Sequence, residues 1–219
     1  MSATKPRAMH ILDILSACYS DAQIELCFDK SDPWQLLVAV VLSAQTTDKA
    51  VNKVTPTLFE AYPNVQAMAG ANIEEVAMHI RTLGFFKTKA THLVRGAQKI
   101  VEDFAGQVPA VREDLERIPG VGPKSAAVIL ANAYGQDYIA VDTHVGRIAR
   151  RLGFSKHSDP SKVEQDLNRL LPQSRRLEAH HVFIFHGRRT CFARKPNCVS
   201  CPIHALCPAY SRNPASQLE

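Results

Sequence analysis

The 219 residues suit one large domain or two small ones, and the 46% hydrophobic content supplies a core and excludes the disordered class. No apolar run approaches the ~20 residues needed to cross a bilayer, so no membrane role is expected. The net charge of +5 is unevenly spread: residues 1–138 carry −2 and residues 139–219 carry +7, which points the C-terminal part toward a polyanion.

The opening "MSATKPRAMHILDIL" has no continuous apolar segment of the kind a secretory leader needs, so a cytoplasmic location is expected. "MHILDILSACYS" then carries a helical stripe at Ile11, Leu12, Ile14 and Leu15. In "SDPWQLLVAVVLSAQ", Asp32 is placed to cap a helix and Pro33 to open it. "TTDKAVNKVTPTLFEAYP" is a helix ended by Pro63, and "NIEEVAMHIRTLG" has Asn72 and Glu75 at capping-box spacing, with Gly84 as its stop. "KTKATHLVRGAQKIVEDFAG" is a long amphipathic helix closed by Gly106. "AVREDLERIPG" is another, ended by Pro119 and Gly120. Helices follow in "PKSAAVILANAYG", "DTHVGRIARRLGF", "DPSKVEQDLNRLLP" and "RRLEAHHVFIFHGRRTC", with "DYIAV" as an isolated strand-like run. An all-α protein of roughly ten helices is expected.

"IPGVGPKS" joins two of these helices. Gly120 and Gly122 can take positive φ, and Pro123 sets the first helical turn. Outward amides beside a helix N-terminus form a phosphate site, although the same pattern fits a helix corner with no ligand. Lys124 sits one residue inside the helix. Beside positive amides its ammonium form is disfavoured, which favours the nucleophilic amine; a lysine that swings into water is the plainer reading. Asp142 precedes the stripe Val145, Ile148, Ala149, Leu152 and suits an N-cap. As a fixed, ionised carboxylate it also suits an acid partner for Lys124.

Cys191, Cys198, Cys201 and Cys207 follow the spacing Cys-x6-Cys-x2-Cys-x5-Cys. Four thiols in so short a span point to a metal, and zinc and an iron–sulfur group both accept four thiolates.

From "LLVAVVLSAQTTD" through "IPGVGPKSAAVIL", "IAVDTHVGRIARRLGF" and "HHVFIFHGRRTCFARKPNCVSCPIHALC", the chain resembles the endonuclease III family of DNA glycosylases. The resemblance implies two helical domains with a cleft between them. One, residues 26–137, is a six-helix domain ending in a helix-hairpin-helix. The other, residues 1–25 with 138–219, is a discontinuous iron–sulfur domain. It implies a bifunctional DNA glycosylase/AP lyase of base excision repair, a nucleoid-associated monomer of bacterial type. Its partner is double-stranded DNA with damaged bases such as thymine glycol, or with abasic sites. Lys124 and Asp142 match the family's catalytic pair, Lys124 as the Schiff-base lysine and Asp142 as the carboxylate that offsets charge on the sugar and assists proton transfers. Gln45 matches the residue that fills the gap left by a flipped nucleotide, and Phe85 a wedge on the opposite strand. Gly120, Gly122, Arg194 and Lys195 match phosphate-contacting segments. The four cysteines match the 4Fe–4S site. Two positions depart from the family pattern: Phe85 is aromatic where the wedge is usually aliphatic, and Pro123 stands where a basic residue is more frequent. A monofunctional mismatch glycosylase of the same superfamily is the alternative enzyme; those relatives lack the hairpin lysine that Lys124 supplies. A non-catalytic iron–sulfur DNA-binding or electron-transfer protein is the alternative without chemistry.

Overall fold

The computed structural model describes residues 4–211. Among these are twelve α-helices, two 3-10 turns and no strand. In chain order the helices are α1 (Lys5–Cys18), α2 (Pro33–Ser43), α3 (Asp48–Ala61), α4 (Val65–Ala69), α5 (Ile73–His79), α6 (Phe86–Phe104), α7 (Arg112–Leu115), α8 (Pro123–Ala133), α9 (Thr143–Arg151), α10 (Pro160–Leu170), α11 (Arg176–Arg189) and α12 (Pro208–Ser211). The chain divides into two compact units. One holds the described residues up to Ile24 and those from Asp137 onward; the other is Glu25–Gln136.

The unit Glu25–Gln136 is built around α2. Every residue from Leu36 to Leu42 is buried, as expected of a helix that is apolar all round. Asp32 caps it by accepting the Trp34 N–H at 2.9 Å, and Pro33 opens it. Helices α3, α6 and α8 pack on α2, and α6 also carries α4 and α5. Asn72 caps α5 by accepting from the N–H groups of Glu74 and Glu75. Each such cap stabilises its helix by about 1 kcal/mol. Helix α6 ends in two left-handed residues, Ala105 (φ 52°) and Gly106 (φ 77°), and the Gly106 N–H reaches back to the Ile100 carbonyl at 3.0 Å. Gly106 therefore closes this helix as its position suggests.

The other unit has its own core. Ile11, Leu12 and Leu15 of α1 are fully buried with Val145 and Ile148 of α9 and with Phe183 of α11. The 4–24 segment thus finds in α11 the partner its apolar stripe requires.

Four expectations about elements change. The helix in "NIEEVAMHIRTLG" ends at His79, well before its expected stop at Gly84. "DYIAV" is not a strand but an extended connector. Ile139 and Val141 enter the core, and the His180 Nδ1–H donates to the Ala140 carbonyl at 2.8 Å in place of a neighbouring strand. The helix in "AVREDLERIPG" is a single turn, α7, because its backbone bends into the hairpin after Leu115. Val65–Ala69, assigned to no element by pattern, forms α4 under an Asn64 cap.

Candidate functional site

Helix α7, the turn 116–122 and α8 form a hairpin. Ile118 and Val121 are buried and anchor its tip, and the Val121 N–H donates to the Ile118 carbonyl at 3.0 Å. Gly120 has φ +85°, and a Cβ there would lie 3.0 Å from both Cβ and Nδ1 of His92 on α6. Only glycine suits that point. Gly122 differs from its expectation. Its φ is −99°, its backbone is extended, and it serves as the N-cap of α8. Nothing lies within 4 Å of a Cβ built on it, so positive φ is not what this glycine supplies.

Pro123 has no N–H, and the Ala126 N–H is the first to bond within the helix, to the Gly122 carbonyl at 2.9 Å. The N–H groups of Lys124 and Ser125 therefore open the helix without an intrahelical acceptor, and no side chain caps them. Lys124 is exposed on this first turn. The arrangement can bind an anion and present an amine beside it.

In the other unit, Asp142 caps α9 by accepting the Val145 N–H at 2.8 Å. That bond fixes the direction of the carboxylate, whose second oxygen remains for other work. The rest of α9 ties this helix start to the cysteine segment. Arg147 donates to the carbonyls of Gly187 (3.0 Å) and Cys191 (3.1 Å), and its Nη2 lies 3.0 Å from His144 Nδ1. Burial holds the His144 imidazole below its ordinary pKa, which keeps it neutral and able to accept from Arg147. Gly187 is needed here: a Cβ would lie 2.7 Å from His144 Nδ1.

Gln45 and Phe85 share an unusual trait. Both are non-glycine residues in the left-handed region, at φ 54° and φ 58°, and both are exposed, Phe85 by 67%. Such conformations cost about 1 kcal/mol or more and persist only where the surroundings hold them. Phe86, next to Phe85, is half-buried. Lys195 (φ 49°) completes a set of three expected DNA-contacting residues with this strain; Arg194 is exposed beside it.

Cys191, Cys198, Cys201 and Cys207 line one cavity of about 700 Å³ with Arg151, His186 and Tyr210 among its other walls. Among the described residues no three His, Cys, Asp or Glu side chains are grouped to hold a single metal ion. The donor set and the cavity together fit a larger, thiolate-held group. Burial, aided by the neighbouring cysteines, pushes the Cys201 thiol up to about 11, so binding such a group must displace protons. Arg151 is positioned to offset the resulting negative charge. Its Nη1 lies 3.0 Å from Cys191 Sγ, and the guanidinium also donates to the carbonyls of Phe192 (2.7 Å) and Ala193 (3.0 Å). Sequence reasoning missed Arg147 and Arg151. Their i, i+4 spacing on α9 was the available signal, but a basic helix face reads equally well as solvated.

Known proteins share this chain's sequence and fold. Residues 38–173 match the family model for HhH-GPD superfamily base excision DNA repair proteins. Endonuclease III of Synechocystis sp. is 45% identical over 210 residues, covering 95% of each chain. Endonuclease III of Escherichia coli K12 is 40% identical over 203 residues, covering 93% of this chain and 95% of that one. A trapped covalent endonuclease III–DNA intermediate, an estranged-adenine complex, superposes with a TM-score of 0.89 at 39% identity, covering 95% of this chain and 98% of the other. The chain therefore belongs to the endonuclease III family, the DNA glycosylase/AP lyases of the HhH-GPD superfamily of base excision DNA repair proteins.

Proposed function

We propose that this enzyme removes oxidised pyrimidines such as thymine glycol from duplex DNA and then cuts the strand, with Lys124 as nucleophile and Asp142 as its acid partner. One observation carries the reading. Lys124 stands exposed on the opening turn of α8, beside uncapped N–H groups suited to a phosphate, in a chain 39% identical to an endonuclease III trapped in covalent union with DNA.

The target nucleotide leaves the stack, Gln45 takes its place, and Phe85 wedges the opposite strand. The N–H groups at the hairpin hold an adjacent phosphate. The Lys124 amine attacks the anomeric carbon; the bond to the base breaks and the base departs with a proton. Asp142 offsets the positive charge that develops on the sugar and helps transfer protons. Ring opening, with a proton to the ring oxygen, leaves an iminium between Lys124 and the sugar. The iminium accepts the electron pair released when the 2′ proton is removed, and the 3′ phosphate leaves. Water then frees Lys124.

We assign a 4Fe–4S group to Cys191, Cys198, Cys201 and Cys207. When bound it would tie residues 191–207 together as a structural link, and no step of the reaction is routed through it. Protein made and purified without air should be brown, with about four irons per chain. Zinc without iron would defeat the assignment.

The deciding experiment is borohydride reduction on a duplex with one thymine glycol. The wild-type enzyme should give a covalent adduct and Lys124→Gln none. An undiminished adduct from that variant would remove the lysine from its role.

A further inference from the structure

We propose that Lys89 is a positioning residue that holds Gln45 in its strained, exposed conformation. The inference rests on the reading of Gln45 as the residue that enters the duplex.

Lys89 lies on α6 and is only 4% exposed. Its Nζ donates to Thr46 Oγ1 at 2.6 Å, and among the described residues no carboxylate pairs with it. Burial alone lowers its pKa. A buried amine without a countercharge is a poor way to fill a core, since a methionine would pack there without the desolvation cost. Its two hydrogen bonds suggest what it does instead.

The first bond works through Thr46. The hydroxyl that accepts from Lys89 also lies 3.3 Å from the Ala44 carbonyl, to which it donates, and the Thr46 N–H donates to the Ser43 carbonyl at 3.0 Å. Gln45 stands between Ala44 and Thr46. It is therefore enclosed in a short loop whose far side is pinned by Lys89. The second bond is made by the Lys89 backbone. Its N–H donates to the Phe85 carbonyl at 3.0 Å, the first bond of α6, which fixes the residue that caps this helix at φ 58°. That backbone bond survives any side-chain change at 89 short of proline, so the lysine side chain itself acts on the Gln45 loop. Left-handed non-glycine residues revert to extended backbone unless restrained. Removing the side-chain tether should free the Gln45 loop to relax and withdraw the side chain from the gap it fills.

The test uses the full chain and two duplexes, one with a tetrahydrofuran abasic analogue opposite 2-aminopurine and one undamaged. Dissociation constants give a selectivity ratio, and 2-aminopurine fluorescence reports whether the opposite base is disturbed. Lys89→Met should lower the selectivity ratio about ten-fold and reduce the fluorescence change, with undamaged-duplex affinity intact and Tm no lower than wild type. Thr46→Ala should lose the same selectivity but with a lower Tm, because it leaves the buried Lys89 amine without its acceptor; Thr46→Ser should retain selectivity, and the double variant should lose no more selectivity than either single one. If Lys89→Met fails to fold, Thr46→Ala decides, because it leaves Lys89 in place. Selectivity kept by Thr46→Ala while Gln45→Ala loses it overturns the role of Lys89 and spares that of Gln45. Selectivity kept by Gln45→Ala overturns both.

Discussion

Arg151 Nη1 lies 3.0 Å from Cys191 Sγ, and the same guanidinium holds the carbonyls of the next two residues. One side chain of α9 thus orders the start of the cysteine segment. Arg151→Met keeps most of the packed stem and deletes the donors. We expect a loss of about 2 kcal/mol in urea unfolding, since charge-assisted hydrogen bonds are the stronger kind. The brown colour expected of the proposed 4Fe–4S group should also bleach faster in air. Arg150→Met, at an exposed position of the same helix, should change neither.

The two hairpin glycines should respond differently to alanine. At Gly120 an alanine would take φ +85° and meet His92 at 3.0 Å, so Gly120→Ala should cost about 2 kcal/mol. At Gly122 the backbone is extended and the space open, and Gly122→Ala should cost only about 0.5–1 kcal/mol, the difference between glycine and alanine at an N-cap. Thermal melts of the two variants check the contrast. Equal losses would mean that the turn is not held by Gly120.

Local rules made part of this fold readable. Asp32 with Pro33, Asn72 and Gly106 announce helix ends through bonds made within a few residues, so no tertiary knowledge is needed. "DYIAV" misleads because alternating burial against helices looks like alternating burial in a sheet. At the candidate site, Lys124, Asp142 and the four cysteines stand out by spacing and family likeness. Lys89 does not, although it falls on the apolar stripe of α6 with Leu93, Ala97 and Ile100. A lysine on such a stripe usually snorkels to water, and only the packed structure tells a buried amine from a surfaced one. The left-handed backbone of Gln45, Phe85 and Lys195 was equally hidden, because none of these residue types signals positive φ.

Stability should fall on mild acidification. Burial, reinforced by neighbouring His180, holds the His181 imidazole at about 4 against an ordinary 6.5. The unfolded chain therefore takes up a proton that the native state refuses. His181's contribution is complete above pH 6.5 and is lost as pH falls toward 4, reaching about 3 kcal/mol at most. Glu178, held low chiefly by a hydrogen bond from Arg175, loses its contribution only below about 4.5, outside most of this window. Burial also holds His186 low, so the comparison of variants, not the wild-type curve alone, reports on His181. His181→Phe should flatten the slope between pH 6.5 and 4.5 by up to one proton; an unchanged slope would show that His181 is protonated in the native state.

Asp142 is both a helix cap and the proposed acid partner, and two substitutions separate these roles. Asparagine keeps an oxygen for the Val145 N–H, so Asp142→Asn should fold normally and bind DNA nearly as well. Base release should slow by roughly a hundred-fold or more, because the charge that offsets the sugar cation is gone. Asp142→Ala should show the same slow chemistry and a further loss of about 1 kcal/mol in stability. If the asparagine variant keeps full activity and only the alanine variant suffers, the carboxylate is a cap and nothing more.

Arg194 and Lys195 follow directly on the segment that Arg151 holds, and both are exposed. As phosphate ligands they would carry no base information, so neutralising both should weaken binding of damaged and undamaged duplex equally. The slope of log affinity against log salt should flatten by about 0.9 for each phosphate no longer neutralised. Lys195 offers a finer test because its φ is 49°. Lys195→Gly removes the charge and relieves the backbone at once, so Tm should hold or rise while affinity and salt slope fall. A glycine variant with unchanged affinity and slope would make the left-handed lysine a feature of the cysteine loop alone, with no phosphate beneath it.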